Sequence, residues 1–253
     1  MSAPLNFLGE FVSRRTEAVA FGGHRLDVDI ERTVYRFEGG VEAWLDRFGL
    51  PEALRIGAGP AFEEIWTLRP ETRDTFMQHP VPRYVRSYGV DYKYSGRNHK
   101  SAGPPPTDTL RTFRAFAEAL YGAAFQQLLV NWYELETDHI SKHADDEASI
   151  VSLGLGPVPR TFVVRSPRVR CPKFPVQKIA LEDNVVVVMG GAFQRMLTHE
   201  VPAPASPEGR DVRRINVTLR QFVRPPPRPL PSLEKKERRT HYNSTEPHAA
   251  KKS

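Results

Sequence analysis

The second half of the chain consists largely of short segments rich in β-branched residues. This pattern restricts the possible folds more than any other feature of the sequence. Glycine, proline and asparagine clusters at 154–159, 182–184 and 190–191 interrupt it with turn signals. Runs of this length and composition, bounded by such turns, are typical of strands. The predicted strands are 127–133, 150–155, 161–165, 177–181, 185–189, 196–201 and 214–222.

Helical patterns precede these strands. Apolar residues recur at helical spacing between 110 and 120, after three prolines and Thr107, which is a plausible N-cap. We therefore predict a helix from 107 to about 121, and shorter helices near 41–48 and 62–68. Helices followed by a run of short strands indicate a mainly β fold with flanking helices, either a β-sandwich or a jelly roll.

The charge and the cysteine content indicate the kind of partner and the cellular compartment to expect. Lysine and arginine number 36 against 30 acidic residues, a net charge of +6 that favours an anionic partner, although several of these cations follow residue 224. A single cysteine, Cys171, excludes an internal disulfide and fits a reducing compartment. The N-terminus shows no apolar run of the length of a signal peptide or membrane span. We expect a protein of the nucleus, the cytoplasm or both, without a membrane partner.

The chain changes character near residue 224. Residues 225–253 are rich in proline, lysine and arginine and poor in core-forming residues, which predicts a disordered tail. Its proline run at 225–231 suits an SH3-type partner and its basic run at 235–239 suits nuclear import, while a solvated tail without a partner is the alternative. The predicted organisation is an N-terminal extension over 1–30, one catalytic domain over 31–224 and this tail, in a monomer.

A histidine and a carboxylate stand two positions apart in the segment HADDE, at His143 and Asp145. In an extended chain both side chains project to the same side and can reach one metal ion, although a solvated loop is the alternative. His199 lies in the strand-like segment 196–201 and can meet them across a jelly roll; a core histidine bonded to backbone is its alternative. Two histidines and one carboxylate are the facial set that binds non-haem iron(II) and leaves positions open.

A second polar group follows in the last predicted strand. Alternation places Arg214, Asn216 and Arg220 on one face. Two arginines on an inward face are costly unless an anion meets them, and a guanidinium fork suits a carboxylate. A dicarboxylate that chelates the metal with its other end fits this arrangement.

Blocks of sequence link these features in a fixed order: PRYVRSYGVDYKYSG (82–96), NWY (131–133), HADDE (143–147), SLGLGPVPRTFVVR (152–165), VVVVMGGAFQRMLTHEVP (185–202) and RINVTLR (214–220). In this order the chain resembles the AlkB-type dealkylating oxygenases, from about residue 66 to 222. It departs from them at Leu219, where phenylalanine is usual, and in the MGGA stretch at 189–192, and residues 1–30 match nothing recognisable. None of these departures removes a ligand.

The resemblance implies a double-stranded β-helix, the jelly-roll fold, and assigns roles to site residues. His143, Asp145 and His199 would bind Fe(II). The 2-oxoglutarate would contact Asn131 and Tyr133 of an earlier strand together with Arg214, Asn216 and Arg220, with Arg220 pairing with its distal carboxylate. Glu147 would face the substrate base, and Tyr92 would belong to a lid that holds it.

The implied activity is that of an Fe(II)/2-oxoglutarate-dependent dioxygenase that uses O2. It would remove N-methyl groups from alkylated DNA or RNA as formaldehyde, with release of succinate and CO2, as in repair of alkylation damage. A base in a duplex must leave the stack to reach such a site. Two alternatives stay open: an oxygenase acting on a protein side chain or another non-nucleic substrate, and a non-catalytic jelly roll that binds nucleic acid.

Overall fold

A computed structural model describes much of the chain: residues 5–57, 59–76, 78–94, 97–147, 149–167, 171, 173–203 and 212–222. For residues 76, 92–94 and 97–99 it describes the backbone only. The predicted tail over 225–253 lies outside these ranges.

Strands make up most of the described chain. They are β1 Phe7–Phe21, β2 His24–Phe37, β3 Val41–Gly49, β4 Thr75–Phe76, β5 His79–Pro80, β6 Tyr84–Gly89, β7 Tyr92–Tyr94, β8 Arg97–His99, β9 Gln127–Tyr133, β10 Ile140–His143, β11 Ser149–Leu155, β12 Arg160–Arg165, β13 Gln177–Leu181, β14 Val185–Gly191, β15 Thr198–Val201 and β16 Arg214–Gln221. The helices are α1 Pro60–Thr67, α2 Asp108–Tyr121 and the short α3 Phe193–Met196, with 3-10 turns at Glu38–Gly40 and Glu52–Leu54.

Two antiparallel sheets form the body of the protein. The larger has the order β1-β2-β3-β14-β11-β16-β9-β6, and the smaller has the order β10-β15-β12-β13. One face of the large sheet packs against α1 and α2, and the other packs against the small sheet, so that two apolar clusters form. The valine run of strand β14 is buried on both faces of the large sheet. Val186 and Val188 pack in the cluster beside the helices, and Val187 and Met189 pack in the cluster between the two sheets. The predicted jelly roll with flanking helices is confirmed.

The strands predicted between 127 and 222 are confirmed, although the segment predicted over 196–201 begins as a strand at Thr198, after α3. Helices α1 and α2 are also confirmed. Thr107 caps α2, since its hydroxyl accepts a hydrogen bond of 3.2 Å from the backbone N–H of Leu110. The cap satisfies one of the amide groups that a helix start leaves unpaired.

The helix predicted at 41–48 is wrong, because these residues form strand β3. Their apolar positions fit a helix at 41, 44, 45 and 48, but they also alternate. Ala43 and Leu45 face the cluster between the sheets, whereas Trp44 and Phe48 face the helices. Pairing with β2 on one edge and β14 on the other fixes the extended form. Tertiary contacts overrode the local pattern.

Residues 7–37, for which the sequence predicted neither helix nor strand, form a long β-hairpin. Strands β1 and β2 pair from Phe7 to Phe37, and β2 continues the large sheet beside β3. A buried carboxylate joins the layers: Asp46 of β3 accepts from Arg32 at 2.6 Å, from Arg15 at 3.2 Å and from the hydroxyl of Tyr121 in α2 at 3.2 Å. The hairpin is therefore tied to the sheet and to α2 by one ionic cluster. Among the described residues, no helix has both the length and the apolar character needed to span a membrane.

Candidate metal and co-substrate site

Adjacent strands of the small sheet bring the two histidines together. His143 ends β10, His199 lies in β15, and the two are direct partners in the antiparallel pairing. Their ring centroids are 4.2 Å apart. Asp145 follows β10 in the next loop, with its carboxylate oxygens 3.9 Å from Nε2 of His143 and 3.5 Å from Nε2 of His199. One ligand atom from each of the three lies within 4.8 Å of the others, so one ion can be held by all three.

The protonation states suit a divalent metal. Nδ1 of His143 lies 2.8 Å from the carbonyl oxygen of Ser141 and can donate to it, which leaves the Nε2 lone pair facing the other two groups. Burial lowers the pKa of His143 and lowers the pKa of His199 to about 3. Burial alone would raise the pKa of Asp145, but Arg220 and the two imidazoles outweigh it and hold that pKa below its ordinary value. Neutral imidazoles beside a charged carboxylate are the forms that ligate metal ions.

Neighbouring side chains fix the orientation of these ligands. The ring of Phe162 stacks on His199 with centroids 5.3 Å apart, and Phe193 lies 6.3 Å away at a steep angle. The side-chain oxygen of Gln194 accepts a 3.0 Å hydrogen bond from the backbone N–H of Asp145. Sequence reasoning missed Gln194, whose only signal was its place in the block before His199. Two imidazoles and one carboxylate, held in a buried pocket, fit iron(II) and its open coordination positions.

A row of polar side chains runs along β16 and β9 in the large sheet. Arg214, Asn216, Thr218 and Arg220 alternate on one face of β16 and are all buried. Opposite them in register stand Tyr133, Asn131, Leu129 and Gln127 of β9. The predicted inward face with two arginines and an amide is present.

Arg220 lies at the metal end of this row. Its Nη2 is 3.1 Å from Oδ1 of Asp145, and its Nη1 donates to the side-chain oxygen of Gln127 at 3.2 Å. Glu147 is also buried beside it, with Oε2 3.9 Å from Nε. The resemblance gave Arg220 to the distal carboxylate of 2-oxoglutarate, but the structure places its guanidinium against a metal ligand.

Arg214 lies at the opposite end of the row. Its guanidinium carbon is 5.1 Å from the centre of the Tyr133 ring, and its Nη1 has no hydrogen-bond partner in the part of the chain that the structure describes. Burial lowers the pKa of Arg214, and the nearby Tyr133 hydroxyl acts against this. Gly154 of β11 leaves room for the side chain, since a Cβ at that position would lie 3.1 Å from Nη2 of Arg214. A buried guanidinium with a free N–H is suited to an incoming carboxylate.

The side-chain amides of Asn131 and Asn216 lie between the two ends of the polar row. The side-chain nitrogen of Asn131 donates to Asn216 at 3.3 Å, and Asn216 in turn donates to the hydroxyl of Ser152 at 2.8 Å. The Thr218 hydroxyl donates to the Asn216 side-chain oxygen at 2.9 Å. Arg83, just before β6, donates to the oxygen of Asn131 at 2.8 Å. These bonds fix the pattern of donors and acceptors on this face of the large sheet.

Of the two predicted substrate residues, the structure describes the side chain of Glu147 but not that of Tyr92. Glu147 is buried at the metal end of the polar row, beside Arg220, and its contact with the substrate base stays a prediction. Tyr92 begins β7, which pairs with β8 in a small separate hairpin, and its side chain lies outside the described part of the structure. The lid role of Tyr92 therefore stays a prediction.

Comparisons with known proteins agree with this geometry. Residues 59–220 match the family model of the 2OG-Fe(II) oxygenase superfamily. The chain belongs to this superfamily. Its members use Fe(II), 2-oxoglutarate and O2, and the triad of this oxygenase matches that requirement. The predicted cofactors and enzyme class are confirmed at the level of the family.

Named relatives place this oxygenase in the AlkB-like group. It is 34% identical over 178 residues to alpha-ketoglutarate-dependent dioxygenase alkB homolog 3 of Rattus norvegicus, covering 66% of this chain and 58% of the relative. The Homo sapiens protein of the same name gives 34% identity, with 66% and 60% covered. The DNA oxidative demethylase ALKBH2 of Arabidopsis thaliana gives 30% identity over 188 residues, with 61% and 57% covered. The matched part of the oxygenase thus spans about three fifths of the length of these relatives.

Proposed function

We propose that the protein is an Fe(II)/2-oxoglutarate-dependent oxidative demethylase of N-alkylated bases in DNA or RNA. The observation that carries this proposal is the buried triad of His143, Asp145 and His199 at one end of an inward-facing row of arginine and amide side chains. One of the relatives is a DNA oxidative demethylase, which supports nucleic acid as the substrate.

The triad would hold the metal through Nε2 of each imidazole and a carboxylate oxygen of Asp145. Iron(II) bound there, with 2-oxoglutarate, supplies the oxidising chemistry that hydroxylates an N-methyl group. The residues of the chain contribute orientation, since Phe162 and Gln194 limit the motion of His199 and of the Asp145 loop. Ligands held in advance lose less conformational freedom when the metal binds.

The co-substrate fits between the two ends of the polar row. Its keto acid end would be held at the metal, so its distal carboxylate would lie away from Asp145. Arg220 already contacts Asp145. Arg214 lies six residues earlier in β16, so the backbones of the two arginines are about 20 Å apart along the strand. We therefore assign the distal carboxylate to Arg214 and Tyr133, in place of Arg220. Arg220 instead keeps Asp145 charged and oriented, and Asn131 and Asn216 line the middle.

The substrate base is assigned to Glu147 and Tyr92. Glu147 is close to the metal end, where its carboxylate can accept a hydrogen bond from the exocyclic amine of a flipped adenine or cytosine. Tyr92 would stack on that base from the β7–β8 hairpin. Tyr92 lies near the cationic residues Arg86, Lys93 and Arg97 in sequence, which suit a phosphate backbone.

Oligonucleotides that carry 1-methyladenine, 3-methylcytosine or 6-methyladenine test the proposal. The full chain, supplied with Fe(II), 2-oxoglutarate and O2, should remove a methyl group from at least one of them, measured by mass together with formaldehyde release. Omission of 2-oxoglutarate should abolish the reaction. Succinate formation that no oligonucleotide stimulates, with unchanged oligonucleotide mass throughout the panel, would contradict the nucleic-acid assignment and favour a protein or small-molecule substrate.

A further inference from the structure

A second buried guanidinium reaches Tyr133 from the opposite sheet. Arg160 begins β12 of the small sheet, and its guanidinium carbon lies 5.3 Å from the centre of the Tyr133 ring. Arg214 of β16 lies 5.1 Å from the same ring centre. Both arginines are buried, at 4% and 3% exposure. Two cations from separate sheets therefore converge at the end of the polar row that lies away from the metal triad.

The partners of Arg160 leave its charge largely unbalanced. Its Nη2 donates to the backbone carbonyl oxygens of Asp138 and Pro202, both at 2.7 Å, whereas its Nε has no hydrogen-bond partner among the described residues. The Asp138 carboxylate attracts it, but that carboxylate already accepts from Arg73 at 2.6 and 2.9 Å and from two backbone N–H groups. The bonds of Arg160 are thus to neutral carbonyls.

The two guanidiniums also repel each other. Burial and, after it, the charge of Arg214 together lower the pKa of Arg160 to about 10, against the opposing effect of Tyr133 and Asp138. Like charges brought together away from water are costly unless an anion joins them. Tyr133 offsets only part of this cost, since the attraction between a cation and an aromatic face is weaker than that between a cation and an anion. The arrangement is therefore complementary to one negative charge at the Tyr133 end.

We propose that Arg160 is a second cation for the distal carboxylate of 2-oxoglutarate and sets the preference of the pocket for a dicarboxylate. This inference rests on the assignment of that carboxylate to Arg214 under the proposed function. It does not depend on which nucleic acid, if any, is demethylated. Arg160 would attract the carboxylate by its charge, and its bonds to Asp138 and Pro202 would hold the guanidinium in place.

A purely structural role is the competing explanation, because Arg160 links the loop at Asp138 to the chain after β15 at Pro202. Such a role predicts equal damage to every ligand of the pocket. A role in binding the distal carboxylate predicts a selective loss, confined to ligands that carry this group. Oxalate separates the two, since it can chelate the metal as 2-oxoglutarate does but has no distal carboxylate.

Calorimetric titration of the full chain, loaded with Mn(II) in place of iron and free of nucleic acid, provides the test. Arg160→Gln should weaken the binding of 2-oxoglutarate about tenfold and leave the binding of oxalate within twofold of the parent protein. Arg165→Gln is the matched control, because it removes an arginine from the same strand whose partner is Glu200 on the surface side. That control should bind both ligands as the parent does.

Three outcomes would overturn the inference. They are an Arg160→Gln variant that binds 2-oxoglutarate as the parent does, equal losses for 2-oxoglutarate and oxalate, and a selective loss that the Arg165→Gln control shares. If the glutamine variant does not fold, Arg160→Lys takes its place: it retains the charge and should bind 2-oxoglutarate within about threefold of the parent. A tenfold selective loss in the lysine variant would show that charge is not what Arg160 contributes.

The same titration with Arg214→Gln separates this inference from the assignment on which it rests. Selective loss of 2-oxoglutarate binding in Arg214→Gln but not in Arg160→Gln would overturn only the second cation. No loss in Arg214→Gln would overturn the position of the distal carboxylate itself. Absence of demethylation on every oligonucleotide, with both selective losses present, would overturn only the nucleic-acid substrate.

Discussion

Nη2 of Arg220 lies 3.1 Å from Oδ1 of Asp145, so a metal-site carboxylate is also the partner of a buried arginine. The contact helps to keep the carboxylate charged when burial would favour its protonated form. It also joins the two halves of the site, because Arg220 belongs to the large sheet and Asp145 follows a strand of the small one. One ion pair therefore links the carboxylate of the metal triad to the polar row of the large sheet.

Removal of Asp145 should abolish metal binding. Asp145→Ala deletes one of three ligands, so we expect Mn(II) affinity and succinate formation to fall by at least about 100-fold. Calorimetry with Mn(II) and a succinate assay without nucleic acid measure the two effects. Asp146→Ala, at the exposed neighbouring position, is the control and should behave as the parent does. Normal turnover of Asp145→Ala with Fe(II) supplied would exclude Asp145 as a ligand.

The two arginines of β16 should separate metal binding from co-substrate binding. Arg220→Gln should lower Mn(II) affinity about 10-fold or more, because it removes the group that orients and charges Asp145. Arg214→Gln should leave Mn(II) affinity unchanged and raise the KM for 2-oxoglutarate at least tenfold, since it removes a charge-assisted bond. The reverse pattern would return the distal carboxylate to Arg220.

Glu147 should matter only when the nucleic-acid substrate is present. Glu147→Gln retains the size of the side chain, so we expect Mn(II) binding and substrate-free succinate formation close to those of the parent, with demethylation reduced about tenfold or more. Glu136→Gln, on an exposed loop, is the control. An equal loss of both activities would show instead that Glu147 acts through Arg220, 3.9 Å away.

Tyr92 should show the same separation of activities. Loss of a stacking ring costs about 1–3 kcal/mol per base, so Tyr92→Ala should reduce demethylation about tenfold or more while succinate formation without substrate is retained. Tyr92→Phe is the matched variant, since it retains the ring and should retain activity. Demethylation by Tyr92→Ala at the rate of the parent would remove the residue from the substrate site.

The ionic cluster at Asp46 should stabilise the N-terminal hairpin. Asp46→Ala leaves Arg15 and Arg32 without their shared carboxylate, and because both arginines are about one third exposed, water offsets part of the loss. We expect the free energy of unfolding to fall by about 2 kcal/mol, measured by urea denaturation. Asp29→Ala, an exposed carboxylate on β2, should change it by about 0.5 kcal/mol or less.

The sequence was sufficient for the features that local pattern encodes. The strands between 127 and 222, the capped helix after Thr107 and the residues of the triad follow from periodicity, turn residues and ordered motifs, each of which acts over a few positions. The inward face of Arg214, Asn216 and Arg220 followed from the two-residue repeat of a strand alone. These predictions needed no knowledge of which strands become neighbours.

The tertiary structure decided whatever depended on contacts between distant segments. Residues 41–48 fit both a helix and a strand, and only pairing with β2 and β14 made them a strand. The order of Arg214 and Arg220 along the pocket depended on where the Asp145 loop meets β16. Arg160 lies against Tyr133 only because the two sheets bring them together. The amino-acid pattern fixes which way a side chain points from its own strand, but its partner across the core is set by the packing of the whole chain.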